Sequence, residues 1–172
     1  MNVRAETSAD YAAIRSVHTA SFPTTAEARL VDALRTAGRL TLSLVAEEEG
    51  EIVGHVAFSP VTLAGGSEGL GLAPVAVLPD FRCGGVAAHM IREGLAACRR
   101  AGAGFVVVLG EPAYYQRFGF MPAAAWDLRD EYGGGEAFQA LELRPHPIPN
   151  GGGVVRYAAE FANLEDEPQQ GE

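Results

Sequence analysis

The segment "LGLAPVAVLPDFRCGGVAAHMIREGLAACRRAGAGFVVVLG", residues 70 to 110, constrains the fold more than any other part of the chain. It opens with "LGLAPVAVL", apolar on both faces as in a central strand covered on both sides. A helical pattern follows Gly85, with Val86, Met90, Ile91, Leu95 and Cys98 on one face and His89, Arg92, Glu93 and Arg99 on the other. Gly102 ends it, and "GFVVVLG" is a short continuous apolar strand. Strand, helix and strand of this size make a βαβ unit, whose crossover is right-handed and whose strands run parallel. At its centre Gly84 and Gly85 stand where strand becomes helix. Such a pair serves either as a corner or as a cradle for an anion. Glycine reaches backbone conformations that other residues avoid, and a helix N-terminus presents unpaired N–H groups with partial positive charge.

The flanking sequence supplies the remaining elements of a mixed α/β fold. "NVRAE" starts as a strand. Thr7 and Asp10 form a capping-box-like start for a helix through Ile14 and Val17. Thr24 and Glu27 make a second box ahead of a Leu30, Val31, Leu34 stripe, closed by Gly38. "LTLSLVAEE" and "IVGHVAFSPVTL" across "EGE" predict a hairpin. "PAYYQRFGF" reads as a short helical segment between Pro112 and Gly119. "AFQALELRP" and "GGVVRYAAEFANL" alternate enough to predict a closing pair of strands across a Pro/Gly loop. A chain of 172 residues, 48% apolar, suits one core, so a single domain over residues 1–164 is expected. The acidic "EDEPQQGE" at 165–172 is expected to be a disordered tail.

Composition removes several functional classes. The net charge of −9 opposes a nucleic-acid footprint and tilts toward cationic partners. All thirteen basic residues are Arg, so a Walker-type lysine loop and a Schiff-base lysine are excluded. Cys83 and Cys98 are too few for a disulfide framework and lack CxxC spacing, so reduced thiols are expected. No histidine clusters with carboxylates at a metal spacing, and no metal is expected. No apolar run reaches a membrane-spanning length and "MNVRAETSAD" lacks a signal-peptide pattern, which predicts a cytoplasmic protein that does not engage a membrane.

Two local patterns have competing readings. "GGSEG" at 65–69 is a literal GxSxG, but a nucleophile elbow joins a strand to a helix and this one joins two strands, so a serine hydrolase using Ser67 is the weaker reading. His55 shares a strand face with Ala57 and Ser59. It either lines a cleft or is a hydrogen-bonded strand histidine.

No GxGxxG is present, so the glycine pair is not a dinucleotide fingerprint. Read in full, "VAVLPDFRCGGVAAHMI" resembles the acetyl-CoA motif of the GNAT N-acetyltransferase superfamily. Its core is Arg or Gln, two residues, Gly, one residue, then Gly or Ala, places filled here by Arg82, Gly85 and Ala87. Downstream, "YYQRFGF" resembles the family's Tyr, three residues, Gly-Phe, with Tyr115, Gly119 and Phe120 in place. "VGHVAFSPV", "EPAYYQRFGF" and "EARLVDALR" look most like the YhbS-like branch of small bacterial N-acetyltransferases. The chain departs from the pattern at Val108, where many members carry Asn, and at Cys83 and Gly84, where many carry Gly or a basic residue.

The resemblance implies the GNAT fold, a central mixed sheet of about seven strands flanked by helices, and acetyl transfer from acetyl-CoA to a primary amine by direct attack in a ternary complex. It implies that Arg82, Cys83, Gly84, Gly85, Val86, Ala87 and Ala88 surround the pyrophosphate, and that Val75, Ala76 and Val77 bind the pantetheine arm through the backbone. It assigns Tyr115 as the acid that protonates the departing sulfur, a role suited to a phenol of pKa about 10. The Val77 N–H is the candidate for polarising the thioester carbonyl. Glu111 and His55 are candidate bases. The acceptor is a small-molecule amine or a protein amino group, and a homodimer stays open. The alternative is a non-catalytic acyl-CoA-binding module of the same fold.

Overall fold

The computed structural model describes residues 1–66 and 68–164. Ser67, on which the hydrolase reading depends, and the expected tail 165–172 lie outside the described residues. The strands are β1 Asn2–Ala5, β2 Leu42–Glu48, β3 Glu51–Pro60, β4 Gly69–Val77, β5 Phe105–Leu109, β6 Met121–Pro122, β7 Leu128–Asp130, β8 Phe138–Glu142 and β9 Gly153–Val155. The helices are α1 Tyr11–Ser21, α2 Ala26–Thr36, α3 Val86–Arg100 and the single turn α4 Pro112–Tyr115. Seven strands form one mixed sheet in the order β1-β2-β3-β4-β5-β8-β6, and β7 and β9 make a separate two-stranded sheet. No helix among the described residues is long and apolar enough to cross a membrane.

The chain divides into two compact units. Among the described residues the first comprises Met1–Phe58, Ala73–Gly94 and Ala159–Leu164. Here β1 pairs antiparallel with β2, and β2 with β3. The β2–β3 turn places Glu49 at φ 50° and Gly50 at φ 84°, the left-handed pair that a two-residue hairpin needs to match strand twist. The Thr7 box forms as expected. Asp10 accepts from the Thr7 N–H at 2.7 Å and from Thr7 Oγ1 at 3.1 Å, and it also binds Arg4. The second box does not close. Helix α2 begins at Ala26, whose N–H reaches Thr24 Oγ1 at 3.2 Å, and ends at a paired turn in which Arg39 donates to the Leu34 carbonyl and Gly38 to that of Arg35. The predicted stripes enter one core, in which Ile14 and Val17 of α1 and Val31 of α2 pack with Val45, Ile52 and Ala76.

The second unit comprises Ser59–Leu72 and Leu95–Ala158. Here β4 pairs parallel with β5 over Gly69–Gly71, as the βαβ reading requires, and β5 pairs antiparallel with β8. Short β6 adds to β8. The predicted closing pair is corrected in its pairing. β8 lies between β5 and β6, while β9, the start of the second predicted strand, runs parallel to β7, a short strand that periodicity did not reveal. "AAEFANL" is not strand either, since Ala159–Leu164 is a 3-10 helix. Alternation identifies a half-buried strand without naming its neighbour, because partner choice depends on contacts far away in sequence.

Candidate functional site

In the first unit the end of β4 leads through a 3-10 turn, Pro79–Phe81, into the glycine pair and α3. Pro79 at the head of the turn fixes φ where the strand must stop. Two residues of the loop take left-handed conformations, Cys83 at φ 63° and Gly85 at φ 83°. A Cβ on Gly85 would meet nothing within 4 Å, so the space in front of this backbone is open. The first hydrogen bond of the helical ladder runs from the His89 N–H to the Gly85 carbonyl at 3.0 Å, so the amides of Val86, Ala87 and Ala88 precede that ladder. On the opposite side of the helix Val86, Met90, Ile91, Leu95 and Cys98 are buried, as their spacing predicted. Cys83 is exposed and Cys98 is buried, and both are free thiols.

The Arg82 side chain is exposed, and its guanidinium is turned back onto backbone carbonyls. Its Nε–H donates to the Val77 carbonyl at 3.2 Å and its Nη2 to the Ser21 carbonyl at 3.2 Å. Ser21 Oγ lies 3.0 Å from the same Val77 oxygen and 2.7 Å from that of Val17. The Leu78 N–H donates to the Val53 carbonyl at 2.8 Å. Ser21 has no sequence signal of its own, because its partner lies 56 residues away.

His55 on β3 is fully buried, in keeping with the strand-histidine reading. Its Nε2 lies 2.7 Å from Ser43 Oγ and its Nδ1 2.8 Å from His18 Nε2. His18 is stacked on Phe22. Burial pushes the His18 pKa down to about 4 and holds His55 well below the ordinary imidazole value, so both imidazoles are neutral at pH 7.

In the second unit, Tyr115 ends α4 and is followed by a 3-10 turn that Gly119 closes at φ 95°. The Tyr115 ring lies against Gly110, where a Cβ would come within 2.3 Å of it, and packs edge-on against Tyr114 and Phe120. Burial pushes the phenol up to about 12, so it keeps its proton at neutral pH. Glu111 is exposed at the head of the same turn, and its carbonyl receives the N–H groups of Tyr114 and Tyr115 at 3.1 Å each. Val108 is buried within β5. No group of three or more His, Cys, Asp or Glu suited to a metal ion occurs among the described residues.

Known proteins share this architecture. Residues 2–123 match the acetyltransferase (GNAT) domain family. The chain is 42% identical to the N-acetyltransferase YhbS of Escherichia coli K12 over 164 residues, 94% of this chain and 98% of that protein. It superposes on the crystal structure of E. coli YhbS in complex with CoA with a TM-score of 0.88 at 40% identity, covering 94% of this chain and 91% of that one. A GNAT family acetyltransferase from Brucella melitensis in complex with acetyl-CoA gives 0.79 at 43% identity, covering 93% and 97%.

Proposed function

The chain belongs to the GNAT family of N-acetyltransferases, and from that premise we propose that it transfers the acetyl group of acetyl-CoA to a primary amine by direct attack while both are bound. The observation that carries the cofactor half is the backbone at Gly85. Its left-handed φ and the open space where a Cβ would stand let a pyrophosphate approach the amides of Val86, Ala87 and Ala88, which need no lysine to hold an anion. Cys83 and Gly84 contribute backbone to the same loop. Val75, Ala76 and Val77 lie past the three residues that ladder with β5, and their backbone would receive the pantetheine amides as an added strand.

Bound acetyl-CoA supplies an activated thioester, and the chain's own groups serve the transfer. The Val77 N–H would donate a hydrogen bond to the thioester oxygen as charge builds on it. The role assigned to Tyr115 is that of hydrogen-bond donor to the departing sulfur. A phenol near 12 is a weak acid, so it acts chiefly as a hydrogen-bond donor there. Between the two base candidates, Glu111 is the group that solvent reaches, whereas His55 is enclosed with both ring nitrogens engaged. We assign the amine's proton to a water chain ending on Glu111. The acidity of the chain favours an acceptor that is cationic in solution.

Two measurements test this reading. Acetyl-CoA is expected to bind in calorimetry and to release thiol in the presence of members of an amine panel. Gly85→Asp adds a side chain and a negative charge to the cradle and is expected to abolish binding. Unchanged affinity in that variant would remove the loop from the cofactor site.

A further inference from the structure

We propose that Arg82 is a positioning residue that acts through Ser21 and Val77, and that its guanidinium clamps the end of β4 for acetyl transfer without binding the cofactor's phosphates. This rests on the assignment of Val77 as the thioester-polarising donor. The last residue of a strand is where backbone order usually fades, because the ladder holds it from one side only. At Val77 the far side is held as well. Its carbonyl receives Arg82 Nε–H and has Ser21 Oγ within 3.0 Å, while the next amide, Leu78, donates to Val53. The peptide plane that follows Val77 is therefore tied at both its polar atoms, and it shares the Val77 Cα with the preceding plane, whose N–H is the proposed donor. A donor that must meet developing charge works best when its orientation is set beforehand.

The serine cannot hold that carbonyl alone. A hydroxyl has one hydrogen, and Ser21 Oγ stands between the Val17 oxygen at 2.7 Å and the Val77 oxygen at 3.0 Å. Arg82 Nε–H has no such competitor at Val77, and its Nη2 takes the Ser21 carbonyl, one of the last-turn acceptors of α1 that the helix leaves without an internal partner. The cation also faces the negative end of that helix. One planar fork thus joins α1, the end of β4 and the glycine loop, and only a guanidinium offers two N–H directions fixed at that spread. The neighbours of Arg82 in sequence hold the phosphates through backbone, while its side chain is turned the other way.

Arg82→Lys separates the two roles, since it keeps the positive charge near an anionic cofactor and loses the fork. In the full chain, kcat is expected to fall roughly tenfold, the scale of a lost hydrogen bond from a charged donor, with the acetyl-CoA Kd within twofold of the parent. Ser21→Ala is expected to lower kcat severalfold with Kd unchanged, and to cost less when Arg82 is already Lys, because the two share one carbonyl. A Kd raised tenfold at unchanged kcat in Arg82→Lys would put the guanidinium on the phosphates and overturn the proposal, as would parental kcat and Kd together. Should Arg82→Lys fail to fold, Ser21→Ala decides: parental kcat overturns the clamp and reduced kcat at parental Kd supports it. Failure of the parent protein itself to bind or turn over acetyl-CoA would instead remove the functional reading beneath it.

Discussion

Lowering the pH from 7.5 toward 4 loads protons onto the unfolded chain before the folded one, and His18 and His55 are where the difference is concentrated. In the unfolded chain each imidazole takes a proton near pH 6.5. In the fold His18 waits until about 4, first because it is buried and then because Arg35 lies nearby, with Asp32 opposing weakly. His55 is shifted in the same direction by burial, by His18 and by Arg35. A folded pKa below the unfolded one means that the contribution to stability is complete above pH 6.5 and is lost as the pH falls toward 4. For His18 an interval of about 2.5 pH units at 1.36 kcal/mol per unit gives a loss on the order of 3 kcal/mol. Against a typical domain stability of about 5 to 15 kcal/mol, that is a large fraction. Asp10 works in a different window. The Arg4 guanidinium beside it holds its carboxyl far below the usual carboxylate range, so its contribution is lost only below about pH 4. Urea unfolding at half-unit steps from pH 7.5 to 3.5 separates the two. The midpoint is expected to fall mainly between 6.5 and 4, and to fall less steeply in His55→Gln, which keeps a partner for Ser43 but cannot take a proton. A midpoint that stays level down to pH 4, or one that falls equally in His55→Gln, would refute the reasoning.

Two further outcomes follow from the same geometry. Tyr115→Phe removes the hydroxyl and keeps the ring that lies on Gly110, so acetyl-CoA affinity by calorimetry is expected to stay at the parental value while kcat falls about 10- to 100-fold. Parental kcat would leave Tyr115 as packing. A thiol reagent at pH 8 is expected to modify one cysteine quickly: Cys83 is exposed, whereas burial pushes Cys98 up to about 12 and closes access to it. Saturating acetyl-CoA is expected to slow that reaction if Cys83 flanks the pyrophosphate, and two thiols reacting at equal rates in the folded protein would contradict the burial of Cys98.

What the chain determined by itself is local in origin. The buried face of α3, its stop at Gly102, the Thr7 start and the two-residue hairpin at Glu49 and Gly50 each depend on residues within a few positions of one another. The parallel pairing of β4 with β5 was legible for a similar reason, since a strand, a helix and a strand of that length close in one hand only. The two motif segments, at residues 82–87 and 115–120, could likewise be read along the chain.

Tertiary structure alone decided which distant groups meet. "AFQALELRP" and "GGVVRYAAEFANL" carry the alternation of strands, yet β8 found β5 and β6 while β9 found β7. His55 could have lined a cleft until α1 brought His18 against it and β2 brought Ser43. Arg82 stands in the motif as a charge beside the glycine pair, and the fold turns that charge onto the Val77 and Ser21 carbonyls. In each case the side chain's chemistry is written in the sequence. The partner that uses it is set by packing between segments tens of residues apart, and no local periodicity records that choice.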